Sequence, residues 1–153
     1  MSARKTFTIG LVLLGALSMG PADLASGSTA LTKAQFIDKA NALCTKAANT
    51  FAPKAKELKG KTMTPQLIAH FVDELLPVVQ TQINSTKELV PPKDEQTKVA
   101  TMLSTDQTEW NALKANPQLL NADGGKRSPF VTADGLARKL GLLGAPGSGV
   151  CSK

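Results

Sequence analysis

The chain has 153 residues, a formal net charge of +6 and an isoelectric point near 9.5. Five Phe, one Trp, no Tyr and plentiful Ala and Lys favour a helical domain over an aromatic-rich, β-branched one. A single histidine leaves few candidates for nucleophilic or metal-dependent catalysis, and a basic surplus without clustered arginines or interleaved aromatics argues against reading of bases.

The first segment reads as a secretory signal peptide over residues 1–25. "MSARK" is a short cationic start, "FTIGLVLLGALSMG" is an uncharged apolar run, and "PADLASGSTA" is small and polar. The run falls short of the ~20 residues a membrane-spanning helix needs. Cleavage after Ala22 or Ala25 satisfies the small-residue rule, with Ala25 preferred and retention as an anchor the alternative. Residues 26–31 then form a linker, and residues 32–153 a single helical domain with a C-terminal tail.

Four helical segments are predicted within that domain. The first opens at Thr32, which with Gln35 forms a capping box, and carries Phe36, Ile37, Ala40, Leu43, Cys44, Ala47, Ala48 and Phe51 at helical spacing. Pro53 is expected to end or kink it, leaving "KELKGKTM" as a linker. The second starts with Thr64 as N-cap and Pro65 at the first helical position. Pro77 is expected to bend it, and "VPP" at 90–92 stops it. The third begins with Asp94 and Glu95 in its first turn and ends at Asn116-Pro117, followed by a loop "LLNADGGKR". The fourth starts at Ser128-Pro129, turns Phe130, Leu136 and Leu140 inward and stops at Gly141.

Cys44 falls in the middle of the first apolar stripe, and Cys151 lies near the end of the glycine-rich tail. In an exported chain an even cysteine count reads as a disulfide, with two free thiols or a bridge between molecules as the alternatives. Closing a loop of about 100 residues stabilises by ~4–5 kcal/mol on the chain-entropy model. The expected fold is therefore all-α: an antiparallel bundle of about four helices closed by one disulfide, monomeric.

The chemistry is sparse. His70 and Glu74 lie one turn apart and supply half a metal site, with no further His or exposed Cys to complete it, so no metal or cofactor is expected. No nucleophile elbow or phosphate loop is present. Asp106 and Glu109 form a carboxylate pair of the kind usually solvated on a helix. Asp106 stands out because it sits on the apolar stripe of the third segment, between Leu103 and Trp110. It is either a paired or edge carboxylate, or a polar group on the floor of an apolar cavity lined by Leu75, Val79, Met102, Asp106 and Trp110. Lysines dominate residues 33–61, where Lys39, Lys46, Lys54, Lys56, Lys59 and Lys61 offer contact to an anionic polymer or lipid surface.

Together, "FIDKANALC", "FVDELLPVVQTQINSTKELVPP", "LKANPQLL", "SPF…A…LARKLGL" and the final Cys make the chain resemble a group of small exported helical proteins of actinobacteria. The likeness spans most of residues 33–151 and implies an envelope or extracellular location and a Cys-tied helical domain, with no activity and no binding residues. The chain departs from lipoprotein members of that group in lacking an acylated cysteine. The expected function is a non-enzymatic secreted or envelope module that binds an envelope protein or an apolar small molecule. Lysine-rich adhesion to cell-wall polymer or lipid is the alternative.

Overall fold

The computed structural model describes residues 29–145; the signal-peptide reading and Cys151 lie outside them. Four α-helices and no strand are found among the described residues: α1 (Lys33–Leu58), α2 (Pro65–Lys87), α3 (Gln96–Ala115) and α4 (Val131–Lys139), with a short 3-10 turn at Pro117–Asn121. None of these helices is long and apolar enough to cross a membrane.

Cross-helix bonds show that successive helices run antiparallel. Leu31 N donates to Val90 O at 2.9 Å, so the start of α1 meets the end of α2, while Lys54 near the other end of α1 pairs with Glu74 at 2.9 Å. Between α2 and α3, Gln80 and Gln107 exchange two amide hydrogen bonds of 3.1 Å, and Trp110 Nε1 donates to Leu76 O at 3.1 Å. α3 packs on α4, and α1 comes backbone-close only to α2, with Phe36 and Ala40 reaching the apolar cluster shared with α3 and α4.

Local rules explain most boundaries. The Thr32–Gln35 capping box is present in both directions, and Thr64 Oγ1 accepts from Leu67 N with Pro65 opening α2. Asn116 caps the 3-10 turn by accepting from Gln118 N, so "LLN" is helical rather than loop. Pro53 does not end α1, which continues to Leu58 and leaves a shorter connection with Gly60 at φ 79°. Pro53 and Asn49, the residue whose carbonyl loses its helical partner there, are both exposed, so the freed group lies on the solvent side of the helix. α2 likewise runs unbroken across the exposed Pro77.

Two expected starts shift. Glu95 is the N-cap of α3 rather than a first-turn residue, and its side chain makes no cap bond. It is buried and spent on Lys33 (2.7 Å) and Lys98 (2.9 Å), whose hydrogen bonds hold its carboxyl below the usual range. α4 begins at Val131, after a turn in which Ser128 Oγ accepts from Phe130 N. Its N-terminus is capped from another helix: the Glu109 carboxylate accepts from Thr132 N at 3.0 Å and Ala133 N at 3.1 Å. A carboxylate there satisfies two orphan donors and opposes the positive end of the dipole. Leu136 is half-buried, whereas Phe130 and Leu140 point fully inward.

After α4 the chain is held, not loose. Gly141 turns at φ 87°, Leu143 N donates to Asn41 Oδ1 at 2.9 Å, and Ala145 N donates to Asp134 Oδ1 at 2.8 Å. Two apolar clusters make the core. One gathers Phe36, Ala40, Met102, Leu103 and Ala137 with Leu142, and the other gathers Phe51, Val72, Val79, Ile83, Leu113 and Phe130.

Glu109→Ala removes both caps at the start of α4. It is expected to cost ~1–2 kcal/mol, read as a lower urea midpoint with an unchanged m-value.

Candidate functional site

Of the five residues expected to line an interior cavity, four are buried and Trp110 is half-buried. Val79 and Met102 are fully buried core side chains. Trp110 is half-buried and committed to structure: its indole N–H is bonded to α2 and Lys114 Nζ lies 5.1 Å from its ring centroid. Leu75 alone of the five borders one of the grooves described below.

Asp106 is the exception. It is 0% exposed, and neither carboxylate oxygen has a hydrogen-bond partner. On α3 it stands between Met102 and Leu103 of one apolar cluster and Leu113 of the other. Its carboxyl is pushed up to about 8, chiefly by burial, with the charges of Glu109 and Asp134 contributing and Lys87 partly opposing them. A lone ionised carboxylate in such a place costs several kcal/mol, so the group stays protonated at neutral pH. Glu109 is taken up by the α4 cap and one oxygen of Asp134 by the tail, so the three acids do not act as a proton-transfer site open to a substrate.

His70 is 73% exposed and 4.0 Å from Glu74 Oε1. The other Glu74 oxygen is paired with Lys54, whose hydrogen bond holds that carboxyl low. No group of three or more metal-ligating side chains occurs among the described residues. Of the six lysines expected to face an anionic surface, Lys54 is half-buried and paired. Lys39, Lys46, Lys56, Lys59 and Lys61 are exposed and make no ion pair among the described residues.

What sequence periodicity did not reveal is concave space on both flanks of α1. One flank is a groove of ≈430 Å³ between α1, α2 and the segment entering α4. Phe51, Phe71, Phe130, Leu75 and Leu120 wall it, while Ala48, Ala52 and Ala55 leave the α1 side low. Three of the chain's five phenylalanines thus border one opening, and no charged side chain does. The available signal was the alanine spacing 48, 52, 55 beside the phenylalanines. The other flank is a seam of ≈270 Å³ between α1 and α2. A larger depression of ≈640 Å³ between α2 and α3 is edged by Gln96, Ser104, Gln107 and Thr108 and has no aromatic wall.

The chain matches no protein-family model, no curated protein and no solved structure.

The sign of the Asp106 effect follows from its two states. The unfolded carboxyl ionises from its ordinary value of 3.8, while the folded one keeps its proton until about 8, so unfolding releases a proton and stability falls as pH rises through that window. The slope reaches about 1.4 kcal/mol per pH unit. Asp106→Asn is expected to flatten this part of the profile, so that urea midpoints of variant and parent diverge in the variant's favour between pH 5 and 8. Parallel profiles would refute the assignment.

Proposed function

We propose that the chain is a non-enzymatic, exported helical module of the cell envelope or extracellular space that binds a small uncharged apolar ligand. The carrying observation is the phenylalanine-walled groove on one flank of α1. Its ≈430 Å³ falls within the size range of small-molecule sites, and its wall is aromatic and uncharged. Ala52 is exposed at its edge, so a bulky residue there fills the groove without disturbing the core. An uncharged apolar dye such as Nile red is expected to bind the parent with little dependence on salt. Ala52→Trp is expected to weaken that binding about tenfold with an unchanged melting temperature. Equal binding by the variant would remove the groove from the reading.

A disulfide between Cys44 and Cys151 belongs to the same proposal. Cys44 is 1% exposed on the core face of α1, and no cysteine among the described residues is free. Asn41, less than one turn away on α1, holds Leu143. The six residues from Ala145 to Cys151 can extend about 20 Å, enough to return to α1. Peptide mapping without reductant is expected to yield the 44–151 pair, and reduction to lower the unfolding midpoint by the equivalent of ~4–5 kcal/mol. Two free thiols in the native protein would refute the bond.

A second reading rests on the five unpaired lysines of α1 and its following turn, which suit an anionic wall polymer or lipid surface. Such adhesion weakens steeply with salt, whereas occupancy of the aromatic groove does not.

A further inference from the structure

We propose that the opposite flank of α1 is a second binding site, for a single-chain amphiphile with an anionic head group. The seam runs between α1 and α2 and is separate from the phenylalanine-walled groove. Leu43 and Ala47 from α1 and Pro77 and Val78 from α2 form its apolar floor, and Gln82 and Lys46 are among its polar groups. Lys46 is the one charged side chain bordering it, no carboxylate does, and Lys46 makes no ion pair among the described residues. The seam continues into a shallower stretch through the shared residues Leu43 and Ser85, ending at Leu89. Lys39 and Glu88 both border that stretch and offset one another, so the uncompensated positive charge of the whole seam sits at Lys46.

The shape and charge select the ligand class. From Lys39 to Thr50 the α1 side of the seam is about 16 Å long at 1.5 Å per residue. That length accepts one extended alkyl chain, and the narrow seam between two helices leaves no room for a second. An ammonium at the edge of an apolar floor favours a carboxylate or phosphate head over a neutral or cationic one, because the charge-assisted bond forms where water is partly excluded. The exposed α1 lysines on either side add attraction at longer range.

The test uses the full mature chain and defined probes below their micelle-forming concentrations: dodecanoate and dodecanol, with phosphatidylglycerol vesicles as a third arm. Titration calorimetry is expected to show saturable one-to-one binding of dodecanoate, and binding of dodecanol about tenfold weaker. Lys46→Met should lower dodecanoate affinity about tenfold and leave dodecanol unchanged, while Lys46→Arg should restore it. Thr50→Trp, at an exposed position on the seam, should abolish binding of both without altering the melting temperature. Ala52→Trp, on the other flank, should leave dodecanoate binding intact, which keeps this site distinguishable from the aromatic groove. Equal affinity for acid and alcohol with an inert Lys46 would overturn the assignment of an anionic head. Loss of binding in Ala52→Trp, or binding to vesicles alone with no effect of Thr50→Trp, would overturn the seam.

Discussion

One constraint shapes the molecule: α1, the longest helix among the described residues, runs backbone-close to α2 alone and reaches α3 and α4 only through side chains such as Phe36 and Ala40. A helix in a closed four-helix bundle touches two others and buries a broad stripe. Here α1 runs backbone-close to α2 alone; Phe36 and Ala40 pack into the cluster shared with α3 and α4, and discrete ties add further support. Lys33 reaches Glu95 at the start of α3, Leu31 bonds Val90, Lys54 pairs with Glu74, and Asn41 grips Leu143. The open sides that this arrangement leaves are the two grooves. Their walls are helix flanks, not an interior void, which is why the residues expected around a central cavity turn out to be core or committed to bonds.

The second organising element is a polar midsection on α3 and α4. Asp106, Glu109 and Asp134 lie within electrostatic reach of one another, yet each has a different fate. Glu109 caps a helix, Asp134 binds the backbone of the departing chain, and Asp106 is left buried with no partner. The first two solve a geometric problem, since α4 is only nine residues long and marginal by itself. The third is a cost to the fold that grows once the group ionises. A buried carboxyl with two acidic neighbours is the kind of local inconsistency that native sequences otherwise avoid. The fold carries it because a proton neutralises the charge.

Much of the secondary structure was legible because its signals are local. The capping box at Thr32, the Thr64-Pro65 start, Asn116-Pro117 and the φ 87° glycine at 141 each act within a few residues. Pro53 misled because the penalty of an internal proline depends on whether the orphaned carbonyl sees water, which is a tertiary fact. Glu95 and Glu109 were misplaced for a related reason. Periodicity puts a carboxylate on a helix but does not say which distant ammonium or helix end will claim it. Asp106 was legible as an oddity from its place in an apolar stripe, and the structure resolved the ambiguity toward burial without a partner. The grooves were illegible, because concavity depends on which flank of α1 lacks a neighbour, and one sequence does not encode that in any single window.

The bond from Leu143 to Asn41 joins positions 102 residues apart. Contacts between such remote points are slow to form, because the chain must lose the entropy of a very large loop before either end gains from the encounter. During synthesis α1 therefore forms before the segment that completes its packing. Until the final segment arrives, Phe36 and Ala40 lack the part of their apolar cluster that Leu142 and Ala145 supply. Throughout that interval, anything that shields an exposed amphipathic helix would decide how much of the chain reaches the native state.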